Sequence, residues 1–272
     1  MDSNRELTTA DKGVSADKEV SRLQAAAEED DDLELSLEAL SALRGFLSAP
    51  PGAAPPPVST MKDARAVLTG VEDNTQFQKK EYWEERFAEE PEYDWLVSFA
   101  AIEPHVKQLI SPDQRVLIVG CGNSTLSADM YAAGYTNIVN IDFSAVVIDC
   151  MATKHADLTD MSWRTMDMTK MDGFGDGEFD VVLDKAAMDA IVTNEGDPWH
   201  PDEETVAKVS AMCREVSRVL KPKGKFVQVT FQQPHFRNLF LDRPGNDFGW
   251  IVPEPTKLDE GLGYFIYNIN KM

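Results

Sequence analysis

The sequence between residues 115 and 231 alternates between short apolar runs and longer amphipathic segments. The apolar runs RVLIVG, NIVNID, SWRTMD, FDVVLDKA and GKFVQVTF have the length of buried strands. The segments STLSADMYAAG, SAVVIDCMATKHA and DEETVAKVSAMCREVSRVL between them have helical length. Strands that alternate with helices form right-handed βαβ units around a parallel sheet. We therefore predict a doubly wound α/β fold with helices on both faces of the sheet.

The last part of the chain breaks this alternation. Two strand-like runs, FGWIVPEP and LGYFIYNIN, follow one another with no helix of full length between them. Consecutive strands without a crossover helix can pair antiparallel. We expect an antiparallel hairpin at one edge of the sheet, which gives a mostly parallel sheet of seven strands.

A glycine turn, Gly120-Cys121-Gly122, follows the first strand. In open α/β sheets the ligand lies beyond the carboxyl ends of the strands. Glycines let the backbone pass close to a ligand, and the next helix offers free N–H groups and the positive end of its dipole. Because the third glycine of a dinucleotide fingerprint is missing, the turn alone does not identify the ligand.

Acidic residues end the second and third predicted strands. Asp142 lies about 20 residues beyond Gly120, where a carboxylate accepts hydrogen bonds from ribose hydroxyls. Asp167 could accept a hydrogen bond from an adenine amino group, and for this residue alone an ordinary strand-end aspartate is equally compatible. The succession of the turn and both acids favours a ligand that contains a nucleoside.

Residues 1–75 differ in composition from the rest of the chain. They carry 15 acidic and 7 basic side chains and a proline-rich stretch, APPGAAPPPVS, which predicts a largely disordered extension. Within it, leucines at helical spacing predict an amphipathic helix over 33–47, which either docks on a partner or on the domain, or forms only transiently. Aromatic residues become frequent from Gln76, so we expect the folded domain to span 76–272.

Charge and cysteine content narrow the function further. The net charge of −21 argues against binding to nucleic acid, which needs a basic surface. Three widely spaced cysteines without a CxxC pair fit a reducing compartment, and they predict neither disulfides nor a metal site. There is no apolar signal core and no apolar run of the ~20 residues that a membrane span needs. We expect a cytoplasmic protein that does not enter membranes.

Four motifs of the chain are VLIVGCGNSTLS, NIDFSAVVID, WRTMDM and EVSRVLKPKGKFVQVTF. Together they resemble the class I, seven-strand S-adenosylmethionine-dependent methyltransferases. EYWEERF, YDW, DKAAMDAI and PHFR are most similar to the branch of the lysine methyltransferases of translation elongation factor 1-alpha and citrate synthase. The resemblance covers Gln76 to the C-terminus, and it implies a Rossmann-like fold that binds S-adenosylmethionine and releases S-adenosylhomocysteine.

The resemblance also implies which residues contact the cofactor. By spacing alone, the aromatic stripe before residue 100 is typical of core packing, whereas the resemblance favours a lid over the methionine end of the cofactor. The family often has tyrosine where Phe87 stands, and EKGTLDA where residues 184–190 read DKAAMDA, which changes the pocket wall. The implied cofactor contacts are Trp83, Phe87, Trp95, Gly120, Cys121, Gly122, Asp142, Phe143, Asp167, Met168 and Lys185.

Methyl transfer from a sulfonium is an in-line displacement, so alignment of donor and acceptor matters more than a dedicated catalytic base. A lysine acceptor must lose its proton, and an aromatic pocket favours the neutral amine. Asp184, Asp189 and His235 are candidates for the substrate pocket, with solvated caps and helix starts as the alternative. We expect a protein-lysine methyltransferase acting on an elongation factor 1-alpha-like protein. The alternatives are a small-molecule methyltransferase and a cofactor-binding interaction module without transfer activity.

Overall fold

The computed structural model describes residues 74–193, 199–243, 245, 248–258 and 263–272. The predictions for the N-terminal extension and for the amphipathic helix at 33–47 therefore lie outside the described residues. The described chain belongs to a compact unit that runs from Thr75 to Met272.

Within the described residues, two helices precede the sheet. A 3-10 turn at Asn74–Gln78 leads into α1 (Lys80–Glu89), which ends just before Pro91 because the residue that precedes a proline disfavours the helical conformation. Helix α2 (Phe99–Leu109) is a single helix, and it begins later than the aromatic run that precedes it. Its buried residues Phe99, Ile102 and Val106 recur at helical spacing, so one face of α2 packs on the sheet.

The alternation of strands and helices forms the predicted doubly wound sheet. The strand order is β3-β2-β1-β4-β5-β8-β6, and the pairs among β1 to β5 are parallel. Strand β1 lies between β2 and β4, where the order reverses. The strands are β1 (Val116–Val119), β2 (Ile138–Asp142), β3 (Ser162–Thr165), β4 (Phe179–Lys185), β5 (Leu220–Thr230), β6 (Trp250–Ile251), β7 (Thr256–Lys257) and β8 (Phe265–Lys271).

Helices cover both faces of this sheet. Alternate residues of each strand point to opposite faces, so a buried strand contributes side chains to two cores. Val116 and Ile118 of β1 join the core that α1 and α2 complete, whereas Leu117 and Val119 join the opposite core. The remaining helices are α3 (Leu126–Ala132) and α4 (Ala145–Lys154) on the first face, and α5 (Ala187–Ile191), α6 (Glu203–Val219) and α7 (Pro234–Leu241) on the second.

The C-terminal edge is antiparallel, as predicted. The described sheet has eight strands, one more than the expected seven. Strand β8 pairs antiparallel with β5, and both β6 and β7 pair with β8. The run FGWIVPEP therefore forms only the short strand β6, and β7 follows directly after the run. Pro253 and Pro255 have no N–H to donate to a ladder, which explains the interruption.

In the part of the chain that the structure describes, no helix has the length and apolar character that crossing a bilayer requires. All three cysteines are free; Cys121 and Cys213 are buried, and Cys150 is exposed.

Candidate active site

The glycine turn lies at the carboxyl end of β1, where the strand order reverses. Gly120 and Gly122 have φ values of 58° and 51°, in the left-handed region that favours glycine. A Cβ added at Gly120 would lie 2.4 Å from Cβ of Ala187, the first residue of α5. The turn therefore needs glycine at 120 both for its backbone and for its contact with α5.

Asp142 ends β2 beside this turn. Its Oδ2 accepts a hydrogen bond from the Gly122 N–H at 3.0 Å, and its Oδ1 accepts one from the Ser144 N–H at 2.9 Å. Burial raises the pKa of Asp142 to about 6, although these backbone donors favour the charged form. A carboxylate offers about four lone-pair sites, so both oxygens can still accept hydrogen bonds from a pair of ribose hydroxyls.

Aromatic side chains of the segment from residue 77 to 95, here called the aromatic segment, form one connected cluster. The rings of Trp83 and Phe87 stack at 5.4 Å, and Trp95 meets Trp83 edge-on at 5.9 Å. The Trp83 indole donates a hydrogen bond to the Phe77 carbonyl at 2.7 Å. A Cβ added at Gly122 would lie 3.5 Å from the Phe87 ring, so the cluster reaches the glycine turn.

A polar network that the sequence did not reveal fastens the aromatic segment to the turn. Asp94 accepts hydrogen bonds from the hydroxyls of Ser124 and Thr125, which follow the glycine turn. Lys185, at the end of β4, donates to the Trp95 carbonyl at 2.7 Å and lies 3.4 Å from Asp94. The only signal in the sequence is the acid within YDW, which periodicity does not distinguish from a surface aspartate.

Burial and charge act in opposite directions on this pair. Burial by itself would raise the pKa of Asp94, but the hydroxyl donors and the Lys185 charge outweigh it and lower the pKa. Burial lowers the pKa of Lys185, and the nearby Asp94 carboxylate only partly opposes that shift. The network thus places a desolvated ammonium group between the aromatic segment and the sheet.

Four predicted cofactor contacts remain: Met168, Asp167, Phe143 and Cys121, the middle residue of the turn. Met168 lies beside the turn, since its Sδ would be 3.9 Å from a Cβ at Gly120. Asp167 is exposed and accepts two hydrogen bonds from Thr169, both at 2.8 Å. Phe143 follows Asp142 and is half-buried, and the Cys121 N–H donates to the Ile141 carbonyl at 3.0 Å. Burial raises the pKa of the Cys121 thiol well above its usual range.

The structure separates the three candidates for the substrate pocket. Asp184 is buried: its Oδ1 accepts from the Ala187 N–H at 2.8 Å at the start of α5, and its Oδ2 accepts from Gln228 at 2.7 Å. Asp189 is buried too, and forms an ion pair with Arg237. The alternative of a solvated position does not hold for these two residues, because distant elements cover them, although Asp184 does cap the start of α5. Only His235 is exposed.

Comparisons with known proteins identify the family. A family model described as a methyltransferase domain matches residues 117–228. A solved magnesium protoporphyrin IX methyltransferase from Synechocystis PCC 6803 has a TM-score of 0.47 and 16% identity, covering 74% of this chain and 98% of that chain. EEF1A lysine methyltransferase 4 of Mus musculus is 38% identical over 203 residues, which is 74% of this chain and 78% of that protein.

The chain belongs to the class I S-adenosylmethionine-dependent methyltransferases of the EEF1A lysine methyltransferase branch. This methyltransferase is also 36% identical over 183 residues to the human eEF1A lysine and N-terminal methyltransferase, a match that covers 65% of this chain and 25% of that protein.

The residues around the glycine turn fit the cofactor of this family. The buried Asp142 carboxylate has acceptor capacity left for ribose hydroxyls, and the turn brings backbone rather than side chains to the edge of the sheet. Across residues 74–193, 199–243, 245, 248–258 and 263–272, no group of three or more histidine, cysteine or acidic side chains could hold a metal ion.

Proposed function

We propose that this methyltransferase transfers a methyl group to the ε-amino group of a lysine in translation elongation factor 1-alpha. The observation that carries the proposal is the 38% identity, over most of both chains, to a protein named EEF1A lysine methyltransferase 4. The acidic balance of the chain, with a net charge of −21, suits encounter with a basic protein. We expect this reaction to take place in the cytoplasm.

The residues around the turn are proposed to hold the cofactor in two parts. Asp142 would accept the ribose hydroxyls, and Asp167 the adenine amino group, with Phe143 and Met168 beside the base. Gly120, Cys121 and Gly122 would present backbone to the methionine end. S-adenosylmethionine supplies an activated methyl group on its sulfonium, and the chain's task is to align that group with the acceptor.

The aromatic segment is proposed to close over the reacting groups. Trp83, Phe87 and Trp95 already contact one another, and the Phe87 ring lies beside Gly122. Excluding water there would favour the neutral form of an entering lysine, which is the form that can attack a methyl group. Lys185 would hold the segment in place through the Trp95 carbonyl and Asp94.

Asp184 and Asp189 have a supporting role in this proposal. Their carboxylates bind Gln228 and Arg237 and stabilise α5, whose first residue contacts Gly120. His235 is the one candidate among the three that an acceptor protein could touch.

The proposal is tested by incubating the purified full-length chain with radiolabelled S-adenosylmethionine and purified elongation factor 1-alpha. We expect a labelled protein band that disappears when the acceptor lysine, once mapped, is replaced by arginine. Label found only in low-mass products of a lysate from the same source would instead support a small-molecule methyltransferase. Cofactor binding without any label would support an interaction module.

A further inference from the structure

Trp199 is a large aromatic side chain that remains 59% exposed on the folded protein. It is nevertheless held in place by other rings. Its indole stacks on His235 at 5.3 Å with an interplanar angle of 24°, and meets Phe236 edge-on at 4.8 Å. We call Trp199, His235 and Phe236 the aromatic platform. An exposed ring that is already ordered loses little conformational freedom when a partner covers it.

The aromatic platform lies at the edge of the sheet where the chemistry takes place. His235 and Phe236 belong to the first turn of α7, which follows the carboxyl end of β5. Strand β5 pairs in parallel with β4, and Val229 is in register with Lys185. The platform therefore shares the carboxyl edge of the sheet with Lys185 and the start of α5.

A buried ion pair connects α7 rigidly to α5. Arg237, the residue after Phe236, is fully buried and binds Asp189 of α5. Thr230, the last residue of β5, donates to Asp189 at 2.5 Å and accepts from Arg237 at 2.9 Å. Because these groups fix α7 against α5 and β5, the aromatic platform has a defined position relative to the glycine turn that α5 contacts.

Exposed acidic side chains follow Trp199 along the chain. Glu203 and Glu204 lie in the first turn of α6, and Glu204 forms an exposed pair with Lys208 at 2.8 Å. The net charge of −21 adds a general attraction for a basic partner. An exposed indole on an acidic protein suits lysine or arginine side chains, which can stack on the ring face.

We infer that the aromatic platform docks a basic segment of the protein substrate, next to the lysine that receives the methyl group. This inference rests on the proposed function and adds to it the surface by which the acceptor protein is recognised. Trp199 acts here as a binding anchor that contributes to substrate affinity, while the transfer step depends on the residues around the glycine turn.

The experiment measures steady-state methylation of purified elongation factor 1-alpha by the full-length wild type and by Trp199→Ala, Trp199→Phe and Ile251→Ala. Ile251 is the matched control: it is 72% exposed, but through Asn270 it aligns with Lys225 in the middle of β5, away from the carboxyl end that leads to the platform. We expect Trp199→Ala to raise KM for the protein about tenfold, the loss typical of one interface anchor, with kcat within about twofold of wild type. Trp199→Phe retains a ring and should recover most of that loss, and Ile251→Ala should match wild type.

Calorimetry with S-adenosylmethionine shows whether the cofactor site of each variant is intact. A Trp199→Ala enzyme with normal cofactor affinity and a KM within about twofold of wild type would contradict the inferred docking surface and leave the proposed function intact. A wild-type dimer that Trp199→Ala dissociates would also overturn it, since a second copy would then cover the platform. A wild type that leaves elongation factor 1-alpha unlabelled would overturn the proposed function and this surface together.

Discussion

The two halves of the site are built in different ways. Around β1 and β2, the Asp142 carboxylate is held by backbone N–H groups of the turn and of Ser144, the residue just before α4. Around β4 and β5, Asp184 also accepts from a backbone N–H, that of Ala187, but it and Asp189 depend in addition on the side chains of Gln228 and Arg237, which lie more than 40 residues away in sequence.

In the proposed function, this difference separates the half that would bind the cofactor, around β1 and β2, from the half that would position the acceptor, around β4 and β5. Backbone donors keep the cofactor half in place as long as the sheet is folded. The acceptor half depends on buried charges that must stay paired, because an unpaired charge in the interior is costly. We therefore expect substitutions in the acceptor half to affect stability first, and substitutions in the cofactor half to affect affinity first.

The largest effect is expected from breaking the buried ion pair. Arg237→Ala leaves the Asp189 carboxylate buried without its cation, and should lower the free energy of unfolding by about 3–5 kcal/mol. Chemical denaturation measures this loss. Lys208→Ala, which removes an exposed pair with Glu204 at 2.8 Å, is the control and should cost under about 0.5 kcal/mol. If Arg237→Ala cost no more than this control, the acceptor half would not depend on its buried charges.

Gly120→Ala tests the contact that joins the two halves. The added methyl group meets Ala187 at 2.4 Å, and the backbone has φ of 58°, so we expect a loss of about 3 kcal/mol. Gly134→Ala is the control, because φ is 102° there but no atom lies within 4 Å of the added carbon. It should cost only about 1 kcal/mol of backbone strain. Equal losses in the two variants would show that α5 does not press on the turn.

Asp142→Asn addresses the cofactor half alone. Hydrogen bonds to a charged acceptor contribute about 1.5–3 kcal/mol, so S-adenosylmethionine affinity should fall by at least tenfold in calorimetry. The single amide oxygen of asparagine can accept from only one of the two backbone N–H groups, so the cofactor-free variant should also lose about 1–3 kcal/mol of stability. Calorimetry is therefore done at a temperature where thermal unfolding shows that the variant is folded. Asp149→Asn, an exposed acid on α4, should retain the affinity of the wild type. Unchanged affinity in Asp142→Asn would remove this residue from the cofactor site.

The pH dependence of cofactor affinity tests the role of Asp142 a second time, with a smaller expected effect. The pKa of Asp142 is raised to about 6, so its contribution to folding stability is present below the ordinary pKa and is lost as the pH rises through about 6. Cofactor binding has the opposite sign, since only the ionised carboxylate accepts from both ribose hydroxyls. We expect affinity to fall about tenfold from about pH 7.5 to about pH 5, and this slope to flatten in Asp142→Asn.

The same contrast explains how much the sequence could predict. The strands and helices from β1 to β5 follow from local alternation, and Asp142 from its spacing to the turn, because both are properties of a short stretch. Helix α5 has five residues, too few to show a helical period. The burial of Asp184 and Asp189 arises from Gln228 and Arg237, and nothing in DKAAMDAI reveals those partners.

Two further features were beyond sequence reasoning for the same reason. Asp94 connects the aromatic segment to the residues after the glycine turn, a contact between positions about 30 residues apart. The sequence does not show that Trp199 is exposed, nor that its ring stacks on His235. Both features depend on the position of α7, which comes much later in the chain.

The most direct test of this account is peptide mass spectrometry of elongation factor 1-alpha after incubation with S-adenosylmethionine and either the wild type or Asp142→Asn. The account predicts methyl groups on a lysine side chain with the wild type and a strong reduction with Asp142→Asn. Methylation at the N-terminal amine only, or no methylation of elongation factor 1-alpha by a wild type that binds the cofactor, would contradict it.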